Sequence, residues 1–121
     1  MTVVTYGAML REALNAAEQL KGDKIDIEII DLRTISPMDI ETIVTSIKKT
    51  GRGVVVHEAP KTCGLGAEIV ALINERAFLS LQAPIERVTG FDIPVPLMKT
   101  EHYYLPNAKK IVMAVKRVMS F

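Results

Sequence analysis

The sequence contains one cysteine, Cys63, and no tryptophan. A single thiol cannot close an intrachain disulfide, so folding is expected to be independent of oxidation. Aromatic residues amount to only 5%, which leaves little material for recognising bases or sugars by stacking. An excess of one charge sign is also missing: fifteen Lys and Arg stand against fourteen Asp and Glu, a formal net charge of +1. That balance argues against a nucleic-acid binder, which normally shows a strong basic excess. No apolar stretch approaches the ~20 residues needed for a membrane span. Met1-Thr2-Val3-Val4-Thr5-Tyr6 lacks the basic start and apolar run of a signal peptide. The expectation is a cytoplasmic protein with neither nucleic acid nor membrane as partner.

What is present is an ordinary globular balance, 49% hydrophobic and 24% charged over 121 residues. Length and composition predict one domain over residues 1–121, with no linker, repeat or low-complexity tract. Short β-like runs alternate with helical patterns, as in βα units around a mostly parallel sheet. Val3-Val4-Thr5-Tyr6 reads as a strand broken by Gly7. Met9, Leu10, Ala13, Leu14, Ala17 and Leu20 then follow helical spacing. Ile25, Ile27 and Ile29 alternate with Asp26 and Glu28, a strand with one wet face. Ser36-Pro37-Met38-Asp39 has the form of a capping box and predicts a helix start; Gly51 ends that helix. Val54-Val55-Val56-His57 is continuously apolar up to the histidine and predicts a central strand covered on both faces. A third helix follows Gly66, a fourth strand spans 84–88, and a last helix begins at Pro106 with Ile111, Val112, Val115, Val118 and Met119 inward. The pattern predicts an αβα sandwich of at least four strands.

Few residues suggest chemistry. Gly64-Leu65-Gly66, after a strand and before a helix, has the beginning of a dinucleotide loop, but Ile69 replaces the third glycine. The alternative is a tight turn packed closely on the sheet. Cys63 near a helix start, with His57 on the preceding strand, allows a Cys–His pair, yet no orienting third group is evident. His57, Glu58 and His102 do not make a metal set. Asp26 and Glu28, and the basic residues of the last helix, read as solvated faces. No catalytic, cofactor-binding or metal-binding residue is expected in this chain.

Several blocks, in order, carry a family resemblance. Asp31-Leu32-Arg33-Thr34-Ile35-Ser36-Pro37-Met38-Asp39 resembles a segment of transketolase C-terminal domains. Val54-Val55-Val56-His57-Glu58-Ala59-Pro60, followed by Gly64-Leu65-Gly66-Ala67-Glu68-Ile69, is similar to one branch of that family. The branch comprises the beta subunits of thiamin-diphosphate-dependent 2-oxo acid dehydrogenases, the decarboxylating components of the pyruvate and branched-chain complexes. Ala83-Pro84-Ile85-Glu86-Arg87-Val88-Thr89-Gly90-Phe91-Asp92-Ile93-Pro94-Val95-Pro96 and Tyr104-Leu105-Pro106-Asn107 continue the resemblance over essentially the whole chain.

The resemblance implies a three-layer αβα sandwich around a five-stranded mixed, mostly parallel sheet. It implies a structural, subunit-assembly and docking role, in an enzyme that decarboxylates a 2-oxo acid and passes the acyl group to a lipoyl arm. Either a branched-chain 2-oxo acid or pyruvate fits, with a lean to the former. Thiamin diphosphate and magnesium belong to the complete enzyme, on its alpha subunit and the N-terminal half of the beta subunit; the chain begins where the C-terminal domain begins. The implied partners are the alpha subunit, a second beta subunit and the subunit-binding domain of the lipoyl acyltransferase core. Phe121, with its carboxylate, and Gln82 are the implied docking residues, and Gln82 departs from the acid often found there. His57, Glu58, Phe91, Asp92 and Pro94 are candidates for the subunit interface, within segments 57–63 and 91–97. Weak self-association of the chain alone is expected. A transketolase-type transferase domain and a free-standing nucleotide-binding regulator using Gly64 and Gly66 are the competing readings.

Overall fold

The computed structural model describes residues 1–96 and 100–121; Leu97, within the second expected interface segment, lies outside them. Four strands, β1 (Thr2–Thr5), β2 (Glu28–Asp31), β3 (Gly53–Pro60) and β4 (Glu86–Gly90), form one sheet in the order β2-β1-β3-β4. Every neighbouring pair is parallel, with Val3 opposite both Ile29 and Val54, and Val55 opposite Arg87. The helices are α1 (Met9–Lys21), α2 (Ile40–Thr50), α3 (Leu65–Ala77), the short α4 (Glu101–Tyr104) and α5 (Ala108–Met119).

Two cores follow from strand alternation. Val3, Val54, Val56 and Val88 face one way and pack with Ala13, Leu20, Ile111 and Val115 of α1 and α5. Val4 and Val55 face the other way, against Ile43 and Ile47 of α2 and Ile69 and Ile73 of α3. Both faces of β1 and β3 are therefore covered, which is why these strands read as unbroken apolar runs. Each such side chain contributes about 1.5–3 kcal/mol by leaving water.

The expected αβα sandwich is present, but its sheet has four strands, all parallel, among the described residues. The stretch 93–96, Ile-Pro-Val-Pro, alternates apolar residues after β4 and still forms no strand. Two of its four residues lack the N–H a ladder needs. Helix α2 starts at Ile40 and not near Ser36, because Asp39 is the cap: its carboxylate accepts from the Thr42 N–H at 3.1 Å and from the Thr42 hydroxyl at 2.6 Å. Those bonds hold the Asp39 carboxyl below its usual range. Helix α5 starts two residues after Pro106, where Asn107 accepts from the Lys110 N–H at 3.0 Å. Glu12 of α1 also takes the Ala108 N–H at 2.8 Å, joining the two helices at that end. Leu14, expected inward, is 52% exposed; Ala16 is buried from that helix.

The connections leaving β1 and β3 diverge to opposite sides of the sheet. In open parallel sheets the crevice at such a divergence, outside the carboxyl ends of the strands, is the customary ligand position. Tyr6 and His57 stand there.

Candidate functional site

At that crevice the protein fills its own space. His57 is wholly buried, and neither ring nitrogen has a hydrogen-bond partner. Its ring lies nearly parallel to that of Tyr6, 11° between planes with centroids 6.1 Å apart. On its other side is the start of α3. A Cβ placed on Gly66 would lie 2.3 Å from His57 Nε2, and one on Gly64 would lie 2.3 Å from the Pro60 carbonyl oxygen and 2.8 Å from His57 Cε1. The two glycines therefore admit the imidazole and a close turn, the packing reading of the pair. Burial, reinforced by the Arg87 charge, pushes the His57 pKa down, which favours the neutral ring. Burial and then the Glu58 charge push the Tyr6 phenol up.

Cys63 is exposed with φ 58°, while His57 is buried without a hydrogen-bond partner, so no Cys–His pair forms. Among the described residues no group of three His, Cys, Asp or Glu side chains could hold a metal ion. None of their helices is long and apolar enough to cross a membrane.

Around the buried histidine the carboxyl end of the sheet is a surface. Glu58, Asp92 and Pro94 are exposed, and Phe91, Ile93, Val95 and Tyr103 are each more than half exposed. Asp92 ties the two expected interface segments together by accepting from the Thr62 N–H at 2.8 Å and the Thr62 hydroxyl at 2.7 Å. These bonds hold its carboxyl below the usual range. His57 differs from the other interface candidates: lying beneath Tyr6, it offers no surface and supports the segment from inside.

The opposite end of the sheet carries the second pair of expected residues. The chain leaves α3 through a single 3-10 turn, Phe78–Ser80, and reaches β4 through 81–85. This connection and Phe121 enclose a groove of about 630 Å³, lined among others by Phe78, Leu79, Gln82, Ile85 and Phe121. The structure thus brings Gln82 and Phe121 into one groove. Its rim is strongly apolar, with Leu79 97%, Phe121 74% and Phe78 65% exposed.

Arg52 organises the Gln82 side of this groove. Its guanidinium donates to Gln82 Oε1, and its Nε donates to the Val118 carbonyl at 3.3 Å. Gly51, at φ 71°, lets the Gln82 side chain lie across it, since a Cβ there would be 2.8 Å from Gln82 Cδ. Lys116 and Arg117 pair with Asp23 and Glu86. Sequence reasoning missed Phe78, Leu79 and Arg52. The available signal was Phe78-Leu79-Ser80-Leu81, an apolar run continuing past Ala77, where the inward stripe of α3 ends.

Comparison with known proteins follows the same lines. The sequence model described as "Transketolase, C-terminal domain" matches residues 1–111. The pyruvate dehydrogenase E1 component subunit beta of Bacillus subtilis is 47% identical over all 121 residues, and that of Staphylococcus epidermidis 48%. The chain spans 37% of the length of each of these curated relatives. A split gene transketolase, solved as an inactive beta4 tetramer, superimposes with a TM-score of 0.84 at 27% identity, over 98% of this chain and 38% of that one. A 2-oxoglutarate:ferredoxin oxidoreductase from Magnetococcus marinus shares the fold, with a TM-score of 0.66 at 13% identity over 98% of this chain and 17% of that one. The match over residues 1–111, on a fold shared with a transketolase, places the chain in the transketolase C-terminal domain family.

Proposed function

We propose that this chain is the assembly and docking domain of a 2-oxo acid dehydrogenase beta subunit, and that the groove at Gln82 and Phe121 receives the subunit-binding domain of the lipoyl acyltransferase. One observation carries this reading. Residues distant in sequence, expected to dock on resemblance alone, line a single groove whose rim exposes Leu79, Phe78 and Phe121. Exposed apolar side chains gathered at a groove and flanked by polar groups are the usual form of a protein contact. The names of the relatives favour pyruvate over a branched-chain 2-oxo acid as substrate of the complete enzyme.

In this reading thiamin diphosphate and magnesium are held elsewhere in the enzyme, and no step is assigned to residues of this chain. The surface at Glu58, Phe91, Asp92 and Pro94 meets the alpha subunit and a second beta subunit. The split gene transketolase, a beta4 tetramer, is a chain containing this fold that assembles with copies of itself, in keeping with an assembly role here. Gln82 changes the character of docking. An acid at this position would neutralise Arg52; the neutral amide leaves the guanidinium charge in place, so a basic partner gains less from Coulomb attraction and more from apolar contact.

Titrating the isotope-labelled chain with the acyltransferase's subunit-binding domain tests the assignment by amide shift changes. Perturbations are expected at 78–85 and at the end of α5. Perturbations confined to the carboxyl ends of the strands would overturn the groove assignment. A transketolase-type transferase is the second reading, favoured by the 0.84 superposition; it predicts no binding of the acyltransferase domain at all.

A further inference from the structure

Among the described residues β4 lies at the edge of the sheet, and its outer side opens into a cleft of about 380 Å³. Four basic side chains line this cleft, Lys61, Arg87, Lys110 and Arg117, against the single carboxylate of Asp92. Only Arg117 is in an ion pair, with Glu86. Among the described residues, Lys61, Arg87 and Lys110 have no carboxylate oxygen within 4.0 Å. Asp92 is held by Thr62 but keeps its charge and acts on nearby Lys61, so the positive excess of the cleft rests mainly on Arg87 and Lys110.

Two of the uncompensated cations are nonetheless held in place. Lys110 Nζ donates to the carbonyls of Tyr103 at 3.0 Å and Leu105 at 2.9 Å, and stands 5.1 Å above the centre of the Phe91 ring. Arg87 donates to the Lys61 carbonyl at 2.9 Å. Carbonyls and a ring face fix a cation without cancelling its charge, so the cleft keeps an ordered positive field. The cations also flank the strand from both faces. Val88 packs into the α1–α5 core, so Arg87, one residue earlier, points to the other face, whereas Lys110 and Arg117 come from α5.

We propose that the β4 edge accepts an extended, acidic segment of a partner protein as an added strand. The main chain would bond to the free edge, as in β-strand addition. Its alternate side chains would turn to the two faces of the sheet, so a run of consecutive Asp and Glu would meet Arg87 and Lys61 on one side and Lys110 on the other. Basic residues on an edge also discourage pairing with a second copy of the same edge. The same charges that exclude that partner select an acidic one. This surface is separate from the Gln82 groove and does not depend on docking there, but it shares Phe91 and Asp92 with the assembly surface, so the acidic segment and a neighbouring subunit would compete for that end of the cleft.

The test uses the 121-residue chain and Glu-Asp-Glu-Asp-Glu-amide carrying fluorescein on its N-terminus through a glycine spacer, followed by anisotropy. Saturable binding is expected, weakening as salt rises from 50 to 150 mM. It should fall at least tenfold for the Arg87→Gln, Lys110→Gln variant, with melting checked separately. The same peptide N-methylated at alternate residues keeps every charge but cannot complete a ladder, and should bind the unaltered chain at least tenfold more weakly. Equal binding of the two peptides would overturn the proposal, because the attraction would then be diffuse. So would the absence of binding at 50 mM salt. If the double variant fails to fold, the comparison of the two peptides on the unaltered chain decides alone.

Discussion

The imidazole of His57 occupies the volume that a side chain at position 66 would require, with Nε2 2.3 Å from the place of a Gly66 Cβ. The contact joins β3 to the first turn of α3 and closes the crevice where such sheets commonly hold a ligand. Gly66→Ala should therefore cost about 1–3 kcal/mol by overpacking, seen as a lowered chemical-denaturation midpoint. In a His57→Ala background the same change should cost markedly less, because the two positions share one space. Additive effects in the double variant would refute this reading of the contact.

The same histidine predicts a pH dependence. Its native pKa is lowered, first by burial and then by Arg87, relative to the unfolded chain. The unfolded ring binds a proton near its ordinary value of about 6.5, while the native ring resists it. The contribution is therefore complete above that pH and is lost as pH falls below it, so stability should rise with pH between about 5.5 and 7. Urea midpoints measured across this window should show the slope in the parent and a flatter one in His57→Gln. An unchanged slope in that variant would assign the effect elsewhere.

Most of the architecture is legible in the sequence, for physical reasons that particular residues show. Val54-Val55-Val56 announces a doubly covered strand because both of its faces need apolar side chains. Lys48, Lys49 and Gly51 mark the end of α2 because a helix terminus needs cations and a left-handed residue. Starts are harder to read. Ser36-Pro37-Met38-Asp39 and Asp39-Ile40-Glu41-Thr42 both carry capping chemistry, and only three-dimensional hydrogen bonding selects the second. The Glu12 bond to Ala108 joins residues too far apart for any local pattern to reveal. Of the candidate site, Gln82 and Phe121, which the structure brings into one groove, were singled out by resemblance. Leu79 was not, since an exposed leucine in a short turn looks like any other apolar residue in a sequence.

The exposed Phe91, Ile93 and Val95 should drive weak association of the chain on its own. Sedimentation velocity at rising concentration should show a reversible dimer or larger species. Ile93→Lys with Val95→Lys should shift that equilibrium towards monomer by roughly tenfold while leaving the melting temperature within experimental error. A chain that is strictly monomeric at millimolar concentration would argue against a partner surface at this end of the sheet.

Docking at the Gln82 groove is the central claim, and Leu79 tests it most directly because it is 97% exposed and so contributes little to the fold. Calorimetric titration of the acyltransferase's subunit-binding domain should give a saturable signal with the parent chain. Leu79→Asp should weaken it by roughly tenfold or more, the effect of removing one apolar anchor at an interface. Gln82→Glu, which supplies a charge to pair with Arg52 and attract a basic partner, should strengthen binding and make it more sensitive to salt. Both variants should melt within a few degrees of the parent. Unchanged affinity in Leu79→Asp and in Gln82→Glu, with both chains folded, would contradict docking at this groove.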